Sequence, residues 1–225
     1  MPAVRSERPS RGHCAEVRYI MIAVIDYDAG NIKSVEKALL YLEQDVMVTR
    51  DPRTILDAEG VILPGVGAFG DAMEKLYAYG LVPVIQRCVQ DNKPFLGICL
   101  GLQLLFESSE ESPGVEGLGI LKGRVLRLPG ESGLKIPHIG WNDLGFPNRG
   151  RLFQGIQEGA YVYFVHSYYL KAQEESIVTA TTEYGTCVHA SVEQGNVFAC
   201  QFHPEKSSDV GMQILRNFVG VTKGA

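Results

Sequence analysis

Pro94-Phe95-Leu96-Gly97-Ile98-Cys99-Leu100-Gly101-Leu102-Gln103-Leu104-Leu105-Phe106 decides the fold of this 225-residue chain. The apolar residues before Cys99 read as a buried strand, and Leu102 to Phe106 read as part of a helix. Between them, Gly97-Ile98-Cys99-Leu100-Gly101 is the thiol form of a nucleophile elbow. In that sharp turn, glycine two positions to either side lets neighbouring backbone pass close by. The turn presents the sulfur at the top of a sheet, and the N–H groups of a helix opening near Leu100 favour an anion there. That is what a nucleophile needs.

Working outward, apolar runs at 20–25, 46–49, 61–63 and 95–98 predict buried strands of a parallel sheet. Helical stretches near 32–43, 71–79 and 82–90 separate them. After about residue 120 the pattern changes, with strands expected at 123–128, 161–165, 177–181, 186–192 and 197–202. Gln194-Gly195-Asn196 joins the last two as a hairpin, and a serine cap opens a final helix at 208–218. The expected fold is α/β: an open, mostly parallel twisted sheet flanked by helices, with a C-terminal antiparallel portion. In such a sheet, sites form beyond the carboxyl ends of the strands, which would bring Cys99, Gly67 and His203 together.

A nucleophile needs a base, and Phe202-His203-Pro204-Glu205 supplies one. Pro204 biases His203 towards extended backbone. In extended chain, residues i and i+2 point the same way, so Glu205 reaches the imidazole and fixes its tautomer. Donors for an oxyanion come from Gly60-Val61-Ile62-Leu63-Pro64-Gly65-Val66-Gly67, a buried strand running into a glycine-flanked turn. The backbone N–H groups of Val66 and Gly67 can point at developing charge, joined by that of Leu100, the residue after the nucleophile. Gln103, four residues after Cys99, lies on the nucleophile's side of the first helical turn and can bind a polar substrate group. Blander readings fit the other candidates: Cys88, Cys187 and Cys200 as small buried hydrophobes, and His138, His166 and His189 as structural histidines.

These residues together resemble the class I, triad-type glutamine amidotransferases, and among them the glutaminase subunits of imidazole glycerol phosphate synthase. G-x-C-x-G at 97–101 and H-P-E at 203–205 are shared across that superfamily. Narrower phrases are Asp26-Tyr27-Asp28-Ala29-Gly30-Asn31, Pro64-Gly65-Val66-Gly67-Ala68-Phe69, Lys135-Ile136-Pro137-His138-Ile139-Gly140-Trp141-Asn142, Tyr163-Phe164-Val165-His166-Ser167-Tyr168-Tyr169 and His203-Pro204-Glu205-Lys206-Ser207. The resemblance implies hydrolysis of glutamine to glutamate and ammonia by Cys99, His203 and Glu205. It also implies that Gln103 and the segment His166-Ser167-Tyr168 help to hold the glutamine, with no catalytic role for His166. The partner it implies is a separate (β/α)8-barrel cyclase subunit that receives the ammonia. That subunit would make imidazole glycerol phosphate and an aminoimidazole carboxamide ribotide, a step of histidine biosynthesis. No metal and no cofactor are called for. A free-standing Cys-His-Glu amidase and a glutaminase serving another synthase are the alternatives.

Composition agrees. The length suits one sizeable core, and no tract or repeat suggests a second domain. Five irregularly placed cysteines and a thiol that must stay reduced fit the cytoplasm rather than a disulfide framework. No run reaches the roughly 18 apolar residues of a membrane span. A net charge of −5 without a basic run argues against a nucleic-acid surface. Residues 1–20 carry Arg5, Arg8, Arg11 and Arg18 against Glu7 and Glu16 and lack an apolar core, so they read as a disordered extension rather than a secretory signal. The amidotransferase domain then spans 21–225. Tyr161, Tyr163, Tyr168 and Tyr169 with Trp141 form an aromatic cluster suited to a partner's surface.

Overall fold

The computed structural model describes residues 20–130 and 133–224. The extension expected at 1–20 therefore falls almost wholly outside the described residues. Within them, β1 (Met21–Ile25), β2 (Asp45–Thr49), β3 (Gly60–Leu63), β4 (Phe95–Ile98), β10 (Val178–Glu183), β11 (Cys187–Gln194) and β12 (Val197–Cys200) form one seven-stranded sheet. Its order is β10-β11-β12-β4-β3-β1-β2. Strands β12, β4, β3, β1 and β2 pair in parallel, whereas β10, β11 and β12 pair antiparallel. The mixed architecture is the one expected, with the hairpin at Gly195 supported by its positive φ of 58°.

Helices cover both faces, which is why the central strands are apolar at every position rather than at alternate ones. Ile22 and Val24 of β1 pack with Val35 and Leu39 of α1 (Ile32–Tyr41) and with Ile214, Leu215 and Phe218 of α6 (Ser208–Thr222). Ala23 and Ile25, on the opposite face, pack with Met73 and Leu76 of α3 (Phe69–Ala78) and Leu81 and Ile85 of α4 (Leu81–Gln90). A short α2 (Pro52–Asp57), capped by the Asp51 carboxylate accepting from the Thr54 N–H at 2.8 Å, contributes Ile55 to the same layer.

Two smaller sheets flank the carboxyl edge. One contains β5 (Ser108–Ser109), β6 (Gly123–Arg127) and β9 (Tyr168–Ala172), and the other pairs β7 (His138–Asp143) antiparallel with β8 (Tyr161–His166). Strand β7 was not expected from sequence because its apolar Ile139 and Trp141 point outward, and a half-buried strand is recognised by apolar residues pointing inward. The serine cap is also revised. Ser207 sits at the N-cap of α6 but makes no capping bond; its hydroxyl accepts from the Tyr163 N–H at 2.9 Å and donates to the His203 carbonyl at 2.7 Å. It ties β8 to the histidine loop. The five-residue aromatic cluster divides as well: Tyr161 and Trp141 are 57% and 51% exposed, but Tyr169 is only 9% exposed and packs against Leu128 and Val188.

Candidate active site

Strands β3, β4 and β12 are neighbours and run the same way, so the three segments that leave their carboxyl ends emerge side by side. These are the Pro64–Gly67 turn, Cys99 and the loop to His203. Cys99 occupies the junction between β4 and α5 (Leu100–Leu104) with φ 55° and ψ −107°, a backbone conformation that L residues rarely adopt. The strain persists because its surroundings leave no alternative. The Cys99 N–H donates to the Cys200 carbonyl at 2.8 Å, extending the β4–β12 ladder by one bond. A methyl group on Gly101 would overlap the Leu63 carbonyl oxygen, and one on Gly97 would lie 2.7 Å from the Gly101 carbonyl oxygen. The glycines of G-x-C-x-G are thus required by backbone contact, as the sequence predicts.

His203 is 1% exposed, and its Nδ1 lies 2.7 Å from Glu205 Oε1. His203 is extended as expected, with φ −102° and ψ 97°, but the extended chain does not continue to Glu205. Glu205 sits in a 3-10 turn, Pro204–Lys206, that folds the carboxylate back under the ring. Asn31, at the start of α1 with φ 69°, donates from Nδ2 to the same carboxylate oxygen at 2.6 Å, a contact no local pattern foretells. Burial alone would lower the His203 pKa. The Cys99 sulfur and the Glu205 carboxylate outweigh it and raise the value to about 9. The imidazole is therefore held protonated at neutral pH, with its Nε2 buried and without a hydrogen-bond partner among the described residues.

A cleft of about 310 Å³ opens over the sulfur, lined by Val66, Gly67, Cys99, Leu100, Gln103, Glu111, Pro137, Val165, His166, Ser167 and Tyr168. Every substrate-binding and oxyanion residue expected from sequence lies on it. Two carry their polar groups differently from the expectation. His166 lines the cleft, but both its ring nitrogens are engaged within the wall: Nδ1 with the Tyr168 carbonyl at 2.9 Å and Nε2 with His138 Nδ1 at 3.0 Å. The Leu100 N–H, expected to face an oxyanion, donates to the Gly65 carbonyl at 3.3 Å. Gln103 donates from Nε2 to the Tyr168 carbonyl at 3.1 Å and to Gln201 Oε1 at 3.0 Å. Glu111, unremarked in the sequence, anchors the N-terminus of α3 by accepting from the Phe69 N–H at 2.8 Å.

Of the remaining cysteines and histidines, Cys88 and Cys200 are buried as expected, but Cys187 is exposed. His138, His166 and His189 are all buried, and burial lowers the pKa of each, to about 4 for His138 and about 3 for His166. Burial thus disfavours the cationic form of all three. Among the described residues no cluster of potential ligands could hold a metal ion, and no helix is long and apolar enough to cross a membrane.

A buried cysteine on a strained elbow thus lies beside a histidine held by a carboxylate, at the carboxyl end of a mixed α/β sheet. The family model for glutamine amidotransferase class-I matches residues 23–221, and the chain belongs to that family. Among curated relatives, imidazole glycerol phosphate synthase subunit HisH of Moorella thermoacetica is 55% identical over 197 residues, covering 88% of this chain and 93% of its own. The protein of the same name from Aquifex aeolicus is 53% identical over 196 residues, covering 87% and 94%. A crystal structure of a glutamine amidotransferase superposes with a TM-score of 0.71 at 21% identity over 90% of this chain and 98% of that one. The PurLQS structure from Thermotoga maritima gives 0.69 at 21% over 89% and 98%. At that identity these two support the fold alone.

Proposed function

We propose that this chain is the glutaminase subunit of an imidazole glycerol phosphate synthase, acting in histidine biosynthesis through Cys99, His203 and Glu205. The reading rests on relatives of that name about half identical over most of the chain, and on the triad geometry. Glutamine enters the cleft with its amide carbon over the sulfur. The Glu111 carboxylate and the Gln103 Oε1 are suited to its α-ammonium group, and Ser167 and Tyr168 complete the wall. The Cys99 thiolate forms a C–S bond, and the carbonyl becomes an oxyanion held by the N–H groups of Val66 and Gly67. The His203 imidazolium gives its proton to the leaving nitrogen, the C–N bond breaks, and ammonia departs, leaving a γ-glutamyl thioester. Neutral His203 then takes a proton from water, whose oxygen displaces the sulfur. Glutamate leaves and the imidazolium and thiolate are restored.

Free ammonia in neutral water is mostly protonated and no longer nucleophilic, so the product has to pass directly to an acceptor enzyme. We assign that role to a separate (β/α)8-barrel cyclase subunit, docked over the exposed Trp141 and Tyr161 of the β7–β8 pair, and place the activity in residues 21–225 and in the cytoplasm. The observation that carries the mechanism is the buried His203–Glu205 pair with Cys99 as the other group acting on its ring. Cys99→Ala should abolish glutamine hydrolysis while synthesis by the partnered complex continues on added ammonium salt. Glutamine hydrolysis surviving in that variant would overturn the mechanism.

A further inference from the structure

Gln201 has no part in the chemistry above, yet it is completely buried and, among the described residues, its amide hydrogen-bonds to Gln103 and Cys99 of the proposed site. It follows β12, whose parallel pairing with β4 sets Cys200 opposite Ile98 and brings the next residue beside Cys99. Its N–H donates to the Ala190 carbonyl at 2.8 Å, fixing the backbone from the other side. The orientation of the side chain follows from a chain of hydrogen bonds. The Tyr168 carbonyl can only accept, so it takes the Nε2 end of Gln103 at 3.1 Å. That same Nε2 lies 3.0 Å from Gln201, so the Gln201 atom facing it is Oε1. The Gln201 Nε2 is then left for the Cys99 sulfur, 3.7 Å away.

A thiol is a weak acceptor and a thiolate a strong one, so a buried amide with its N–H on sulfur is matched to the anionic form. Of the other groups near the sulfur, the His203 imidazolium favours the anion and one main-chain group works against it. The Val165 carbonyl oxygen, 3.9 Å from Sγ, is suited to accept from an S–H and repels a thiolate. We propose that Gln201 is a positioning residue of the glutaminase site: its Nε2–H draws the Cys99 sulfur away from the Val165 carbonyl in thiolate form. Because Gln103 sets the direction of that amide, the glutamine-holding wall and the nucleophile form one hydrogen-bonded unit. This rests on Cys99 being the nucleophile.

The test uses the full chain and iodoacetamide, following modification of each cysteine by mass spectrometry across pH. In Gln201→Met, alkylation of Cys99 at pH 7 should slow about tenfold while its plateau at high pH stays the same, because the thiolate remains as reactive once formed. Exposed Cys187 serves as the internal control and should not change. Gln201→Glu keeps an acceptor for Gln103 but sets an oxygen against the sulfur, so Cys99 should slow further. A second measurement needs no substitution at 201: in the 15N-labelled unaltered chain, the Gln201 side-chain N–H resonance should move when Cys99 is alkylated. A Cys99 profile indifferent to both variants, or an amide resonance indifferent to alkylation if the variants do not fold, overturns the proposal. A Cys99 in the unaltered chain no more reactive than Cys187 overturns instead the nucleophile reading on which it rests.

Discussion

At the scale of single residues, the base and its orienting acid should be separable. His203→Ala removes the proton carrier and should cost nearly as much glutaminase rate as losing Cys99. Glu205→Gln should keep roughly 100-fold more activity than His203→Ala, since an orienting acid removed alone costs less than the base it serves. Initial rates of glutamate release from the two variants check this, and equal losses would show that the carboxylate does more than hold the ring. The i, i+2 spacing revealed this pair without revealing its turn, because a chemical requirement survives whichever backbone geometry meets it. Asn31 and Gln201 escaped for the opposite reason. Each meets the triad across more than 100 residues of chain, 174 to Glu205 and 102 to Cys99, and neither has a local pattern to mark it.

Among the elements, the β7–β8 pair carries the clearest pH dependence. His138 and His166 face each other in its register and are held neutral by burial, with pKa values near 4 and 3 against an ordinary 6.5. Below pH 6.5 the unfolded chain takes up protons that the folded chain refuses, so stability falls as pH drops through that window towards 4 and then 3. The urea midpoint should therefore be lower at pH 5 than at pH 7. His138→Phe should lower the pH 7 midpoint, because it leaves the buried His166 Nε2 unpaired, yet it should shrink the loss between pH 7 and 5. An undiminished loss would place the acid sensitivity elsewhere. The elements themselves were legible where burial is two-sided, as in β1, β3 and β4, whose unbroken apolar runs admit no other reading. They were illegible where a strand turns its large apolar residues outward, as β7 does with Ile139 and Trp141, because periodicity reports what faces the core.

For the whole molecule, the bond from the Leu100 N–H to the Gly65 carbonyl means that the turn leaving β3 holds one expected oxyanion donor occupied. A glycine-rich turn can rotate its peptides, so contact with a partner subunit can change which state is populated, by about tenfold for each 1.4 kcal/mol while the open state is rare. Glutamine turnover should be low for the isolated chain, higher with the cyclase, and highest when the cyclase holds its nucleotide ligand. Equal rates in all three would favour a free-standing amidase. Within the chain itself, the contact of Gly101 with the Leu63 carbonyl joins the end of β3 to the start of α5 through main chain on both sides. The oxyanion turn and the sulfur are therefore spaced by backbone rather than by side chains. Descendants of such a chain can exchange cleft residues outside the Gln103–Gln201–Cys99 hydrogen-bonded unit, and so the acceptor subunit they serve, without altering that spacing. Novelty can accumulate around this site, while its centre stays fixed by two atoms that no codon change can trim.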